Sequence, residues 1–154
     1  MDIALMASVA EIISAVAVVV SLIFVGLEVR KNTQISETAT FQSSVTHDID
    51  ILMSLGENPV IAKAFFDYRD KPDSLGEEAQ AQGAHLMAAV IRHMENLYLQ
   101  YKKGMLSQES WRTREPLVLA IIKSPGFQKN TEVHYAGFFG GDFMKYANEV
   151  LSQN

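Results

Sequence analysis

Residues 11–33 read EIISAVAVVVSLIFVGLEVRKNT, and what this stretch is decides the fold and the location of the chain. Residues 12–27 are uncharged for 16 positions, roughly 24 Å of helix, short of a bilayer core of about 30 Å. Extending back to Ile3 gives 25 residues and roughly 37 Å, but includes Glu11. With Leu27 at one boundary, Glu11 lies roughly 6 Å inside the opposite one. A carboxylate that close to the edge reaches toward headgroups or lowers its cost by protonation. The run is apolar on every side, which suits lipid or a very large core, and a 154-residue chain has no such core. A cleaved signal peptide wants a basic start and a small-x-small site. Here the start carries Asp2 and the run closes on VGLEVRKNT. The expectation is an uncleaved transmembrane anchor over residues 1–31 and a helical domain over residues 32–154. Arg30 and Lys31 follow the run, so the positive-inside rule puts the C-terminal domain in the cytoplasm and the N-terminus outside.

Ala7, Ala10, Ser14, Ala17 and Ser21 are spaced 3, 4, 3, 4, and Phe24 and Glu28 continue the series. On a helix this is one stripe of small residues, which lets membrane helices approach closely. The stripe points to association with copies of this chain or with another membrane protein. Glu11 borders it, and either lines the mouth of an oligomeric pore or snorkels outward; the edge position favours snorkelling.

Composition removes several function classes. There is no cysteine, so disulfide scaffolds, zinc-thiolate sites and thiol chemistry are excluded. Net charge is −5 with no basic tract, so nucleic acid is not an expected partner.

After the anchor the chain reads as helix throughout. Residues 28–55 lack proline and glycine, with a polar stretch at 32–40 where a break could fall and Gly56 as the expected C-cap. Asn58 should cap a helix with Pro59 at its first turn, ending near Lys71 and Pro72. Ser74 and Glu77 have capping-box spacing before a long helix that ends at Gly104. On that helix Leu86, Val90, His93, Leu97 and Tyr101 share one face, and Met87, Ile91, Met94 and Tyr98 the next, so it should be central. Ser107 caps a helix to Lys123, with a kink or restart at Pro116. Breaks at 124–126 (SPG) and 138–141 (FFGG) precede a last helix from Asp142 that buries Phe143, Ala147 and Val150. The expected fold is all-α: a single N-terminal transmembrane helix continuing into a bundle of about four or five helices.

The anchor, AEIISAVAVVVSLIFVGLEVRKNT, and the stretch RHMENLYLQYKKGMLSQESW at 92–111 resemble a widespread bacterial family of small uncharacterised proteins. The shared features are a hydrophobic segment closing on Arg30, Asn32 and Thr33, then Glu95, Asn96 and Tyr98, then Gly104 and Trp111, and the SPG break. The resemblance implies a bacterial inner-membrane protein with a helical domain. It implies no activity and no functional residues.

No chemistry-bearing motif stands out. None of His47, His85, His93 and His134 has a glutamate three residues before it, as a di-iron bundle needs. His47 with Asp48 and Asp50 is the nearest approach to a cluster, but adjacent residues point about 100° apart on a helix. Phosphate loops, dinucleotide glycines and a nucleophile elbow are absent, so no cofactor and no metal are expected. His93 lies on the apolar face of the central helix, and Arg92, Glu95 and Asn96 form an i, i+3, i+4 polar cluster beside it. They form either a network that fixes packing or the floor of a small-molecule pocket. Three functions follow in order of expectation: a non-enzymatic membrane protein that forms a homo-oligomer or joins a larger complex, a pore with Glu11 near its mouth, or a sensor or enzyme with a pocket at His93, Glu95 and Asn96.

Overall fold

The structure is a computed structural model, and it describes residues 2–153. Among these the chain is all-helical, without strands. Six α-helices follow one another: α1 (Ile3–Glu57), α2 (Pro59–Asp70), α3 (Glu77–Lys102), α4 (Gln108–Ile122), α5 (Pro125–Lys129) and α6 (Gly141–Ser152). A 3₁₀ turn (Pro72–Ser74) links α2 to α3, and a π-helical turn (Asn130–His134) extends α5. The chain divides into two compact units, Met1–Ala39 and Thr40–Asn154.

In the first unit α1 is the whole structure. It is the one helix among the described residues long and apolar enough to cross a membrane, judged by length and composition. The polar residues 32–40 do not break it: they include no proline or glycine, and two of their hydroxyls bond back onto the helix. Thr33 Oγ1 donates to Val29 O at 3.0 Å and Thr38 Oγ1 to Gln34 O at 2.9 Å, bonds that leave the i→i+4 ladder intact. Gly56 is not the expected left-handed cap: the helix includes it, and its φ is not positive.

The second unit is built around α3, which packs against α2, α4, α5 and α6. Met87, Ile91, Met94, Leu97 and Tyr98 are buried there, so the doubly apolar surface read from the sequence is the core. The last turns of α1 join this core through Ile51 and Leu55. Local signals act much as expected at several ends. Asn58 Oδ1 accepts from Val60 N and Ile61 N at 3.0 and 3.2 Å, and Ser107 Oγ accepts from Ser110 N at 3.2 Å. Gly104 turns at φ +71°, a conformation that costs glycine least, and stops α3. Pro116 neither ends nor restarts α4. The capping box does not form. Pro72 tightens the chain into the 3₁₀ turn, Ser74 Oγ donates back to Lys71 O at 2.9 Å, and Gly76 becomes the N-cap of α3. Glu77 is then the first helical residue, too early to reach back as a box requires. The last helix starts at Gly141, one residue ahead of expectation, and buries Phe143, Ala147 and Val150.

Tyr68 of α2 lies fully buried against α3, and its hydroxyl meets no hydrogen-bonding partner among the described residues. Burial, with Asp73 and Tyr135 adding to it, pushes its pKa up to about 12. Burial also pushes Tyr146 to about 12, with Glu115 nearby, and raises Tyr98 beside Asp142 and Glu149. Below pH 10 these phenols are neutral in both folded and unfolded chains. Between pH 10 and 12 the unfolded chain ionises while the fold holds the protons of Tyr68 and Tyr146, so stability is lost across that window. The share of Tyr68 is about 2–3 kcal/mol. Denaturant unfolding from pH 8 to 12 should show this fall. Tyr68→Phe should flatten it while leaving stability at pH 7 equal to or slightly above wild type, since the lost hydroxyl had no partner.

Candidate functional site

The four polar residues singled out on α3 do not form one site. His93 and Glu95 are two positions apart, about 200° around the helix, and each enters a different network.

His93 faces the second-unit part of α1. Its Nε2 lies 2.8 Å from Asp48 Oδ1, and its ring stacks on His47 with centroids 5.9 Å apart. Arg114 of α4 reaches the same carboxylate, with Nε 3.4 Å from Asp48 Oδ2. That separation is an ion pair without hydrogen-bond alignment, and among the described residues Arg114 Nε has no hydrogen-bond partner. The guanidinium is held by other atoms: Nη2 donates to Ser44 Oγ at 3.1 Å, Nη1 to Ser110 O at 3.2 Å, and its plane lies over Phe41. Ser44 is buried, and its hydroxyl donates to Phe41 O at 2.7 Å. A serine, a histidine and an aspartate are therefore close, but Ser44 is bonded to Arg114 and to backbone. His93 does not engage it, so the relay that would activate a nucleophile is not assembled. What this geometry does is clasp α1 to α3 and α4 through one shared carboxylate.

Glu95 points to the other side, where it is 3% exposed. It pairs with Arg92, and its Oε1 accepts from Gly140 N at 2.6 Å. Arg92 Nη2 donates to Phe138 O at 2.8 Å, and its guanidinium sits 4.3 Å from the Phe138 ring centroid and 5.2 Å from that of Phe139. The pair thus holds the FFGG loop, where a break was expected, at the entrance to α6. Asn96 is exposed and belongs to neither network.

Two clefts of the second unit lie elsewhere. An apolar one of about 220 Å³ is walled by Ile51, Leu55, Ile61, Phe65, Leu86 and Val90. A polar one of about 200 Å³ is walled by Tyr98, Lys102, Asp142, Lys145, Tyr146 and Glu149, with Tyr98 and Tyr146 stacked at 4.7 Å. His93, Glu95 and Asn96 line neither. Among the described residues no three His, Cys, Asp or Glu side chains are grouped to hold a metal ion.

On the first unit Ala7, Ala10, Ser14, Ala17 and Ser21 are exposed along α1, as is Glu11. Ser21 Oγ donates to Ala17 O of its own helix at 2.9 Å, so it offers a neighbour an acceptor rather than a donor.

Sequence reasoning missed Asp48 as the partner of His93, and Arg114 and Ser44 as the groups linked to it through that carboxylate. Asp48 was visible as the neighbour of His47, but nothing local marks Arg114, which comes 66 positions later. No family model matches the chain, and neither does any curated protein or solved structure.

Proposed function

We propose that this chain is a non-enzymatic protein of the bacterial inner membrane, anchored by the first part of α1, whose helical domain serves a homo-oligomer or a larger membrane complex. One observation carries the reading. The eleven large apolar residues from Ile12 to Leu27 are each 55–67% exposed, so the described residues leave most of their surface uncovered. At about 1.5–3 kcal/mol for each such side chain removed from water, their combined burial is worth on the order of 20 kcal/mol. Lipid supplies that burial on all sides of one helix; a soluble partner would have to surround it. Arg30 and Lys31, against Asp2 and Glu11, orient the domain to the cytoplasm under the positive-inside rule. The networks on α3 fit this role, since both tie helices and loops together.

The test is extraction of native membranes with alkaline carbonate. The wild-type chain should stay in the pellet and dissolve only in detergent. Val16→Arg with Val20→Arg should release it, because two central arginines cost about 5–7 kcal/mol on the insertion scale, against about 5 gained by the run. Wild-type protein in the carbonate supernatant overturns the anchor. Native mass of the full chain in mild detergent then separates a homo-oligomer from a monomer that awaits another protein.

A further inference from the structure

We propose that a second copy of this chain packs in parallel on the α1 face that carries Phe24, Glu28, Lys31 and Ile35, with Glu28 of one copy meeting Lys31 of the other. The proposal rests on the reading of α1 as a membrane helix, because copies inserted by one rule share one direction.

The four residues are spaced 4, 3 and 4, so they lie along one side of the helix. They wall an open groove of about 420 Å³, together with Val25, Val29 and Asn32. Phe24 is 63% exposed and Ile35 58%, so large apolar side chains stand unburied on both sides of the charged pair. Among the described residues, neither Glu28 nor Lys31 forms an ion pair within the chain. The face is therefore apolar at both ends and carries one acid and one base at its middle.

That pattern is self-complementary. In a parallel pair related by a two-fold axis, equivalent residues lie at the same height. The Glu28 and Lys31 levels are then about 4.5 Å apart along the axis, within reach of both side chains. Each copy supplies one acid and one base, so two diagonal cross-pairs form and offset the repulsion of the like charges that face each other at each level. Exposed ion pairs contribute little affinity. Their role here is register, while Phe24, Ile35 and the small residues Ala17 and Ser21 before them supply the contact. A lipid phosphate would pair with Lys31 but would leave Glu28 facing an anion.

The chain contains no cysteine, so single-cysteine variants of the full-length protein report proximity without background. Ile35→Cys in native membranes should form a disulfide dimer under copper-phenanthroline at least tenfold faster than Thr33→Cys or Glu37→Cys, which lie about 200° around the helix. In the Ile35→Cys chain, Glu28→Lys or Lys31→Glu alone should slow cross-linking severalfold, and the double exchange should restore it. Equal rates at 33, 35 and 37, or no dimer from carbonate-resistant protein, overturns the packing while leaving the anchor intact. A double exchange as slow as the singles overturns the Glu28–Lys31 pairing. Release of wild-type protein by carbonate is a separate readout; it defeats the membrane reading and this proposal with it.

Discussion

Gly83→Ala should destabilise the second unit by about 2–3 kcal/mol and lower its melting temperature by on the order of 10 °C. Gly83 sits in the second turn of α3, where alanine would ordinarily gain about 1 kcal/mol. Here a Cβ would stand 2.7 Å from Tyr68 Cγ and closer still to Tyr68 Cβ. The ring cannot retreat, because Gly126 lies on the far side of the same segment, where its own Cβ would meet Tyr68 O at 2.6 Å and Arg69 Cα at 2.7 Å. Two glycines thus let α2 lie between α3 and α5, with the Tyr68 side chain against Gly83 and the α2 backbone against Gly126. Gly141→Ala is the internal control: it has no atom within 4 Å of the added methyl, and should be neutral or slightly stabilising. Thermal unfolding of the full chain in detergent, followed by circular dichroism, measures both variants against wild type. An unchanged melting temperature for Gly83→Ala would show that α2 does not need this close approach.

Glu95→Ala should cost about 2–4 kcal/mol, and the loss should appear first at the FFGG loop. The carboxylate is buried and accepts from Gly140 N, so its removal strands a backbone donor at the start of α6. Arg92 loses its ion pair as well, but it is partly exposed and recovers water, which keeps the cost below that of a fully enclosed pair. Glu95→Gln keeps an oxygen for Gly140 and forfeits only the charge, so it should cost about half as much. Hydrogen exchange at Gly140 should accelerate by at least tenfold in Glu95→Ala and less in Glu95→Gln. Equal exchange in both variants and wild type would remove Glu95 from the support of that loop.

The two networks on α3 show where local sequence stops being informative. Arg92 and Glu95 are three apart, so their pairing follows from helix geometry alone. What the pair does depends on Phe138 and Gly140, more than 40 positions later. His93 looked like a member of the same group because it is adjacent in sequence, yet the 100° step per residue turns it toward α1. Its partner Asp48, and the Arg114 that shares that carboxylate, come from helices whose pairing no periodicity specifies.

By itself the sequence determined what rests on nearest neighbours and on helical period. It placed the all-helical class, the long apolar helix at the N-terminus, α3 as the central helix, the Asn58 and Ser107 caps and the stop at Gly104. These follow from side-chain chemistry acting within one turn or along one face. Only the tertiary structure decided what depends on elements meeting. It carried α1 through residues 32–40 unbroken, moved the cap of α3 from Ser74 to Gly76, and split the polar group of α3 into a clasp and a loop support. It also pressed the Tyr68 side chain against Gly83 and the α2 backbone against Gly126. Each of these is fixed by distances between segments remote in sequence, where packing density and the pairing of buried charge outweigh local preference.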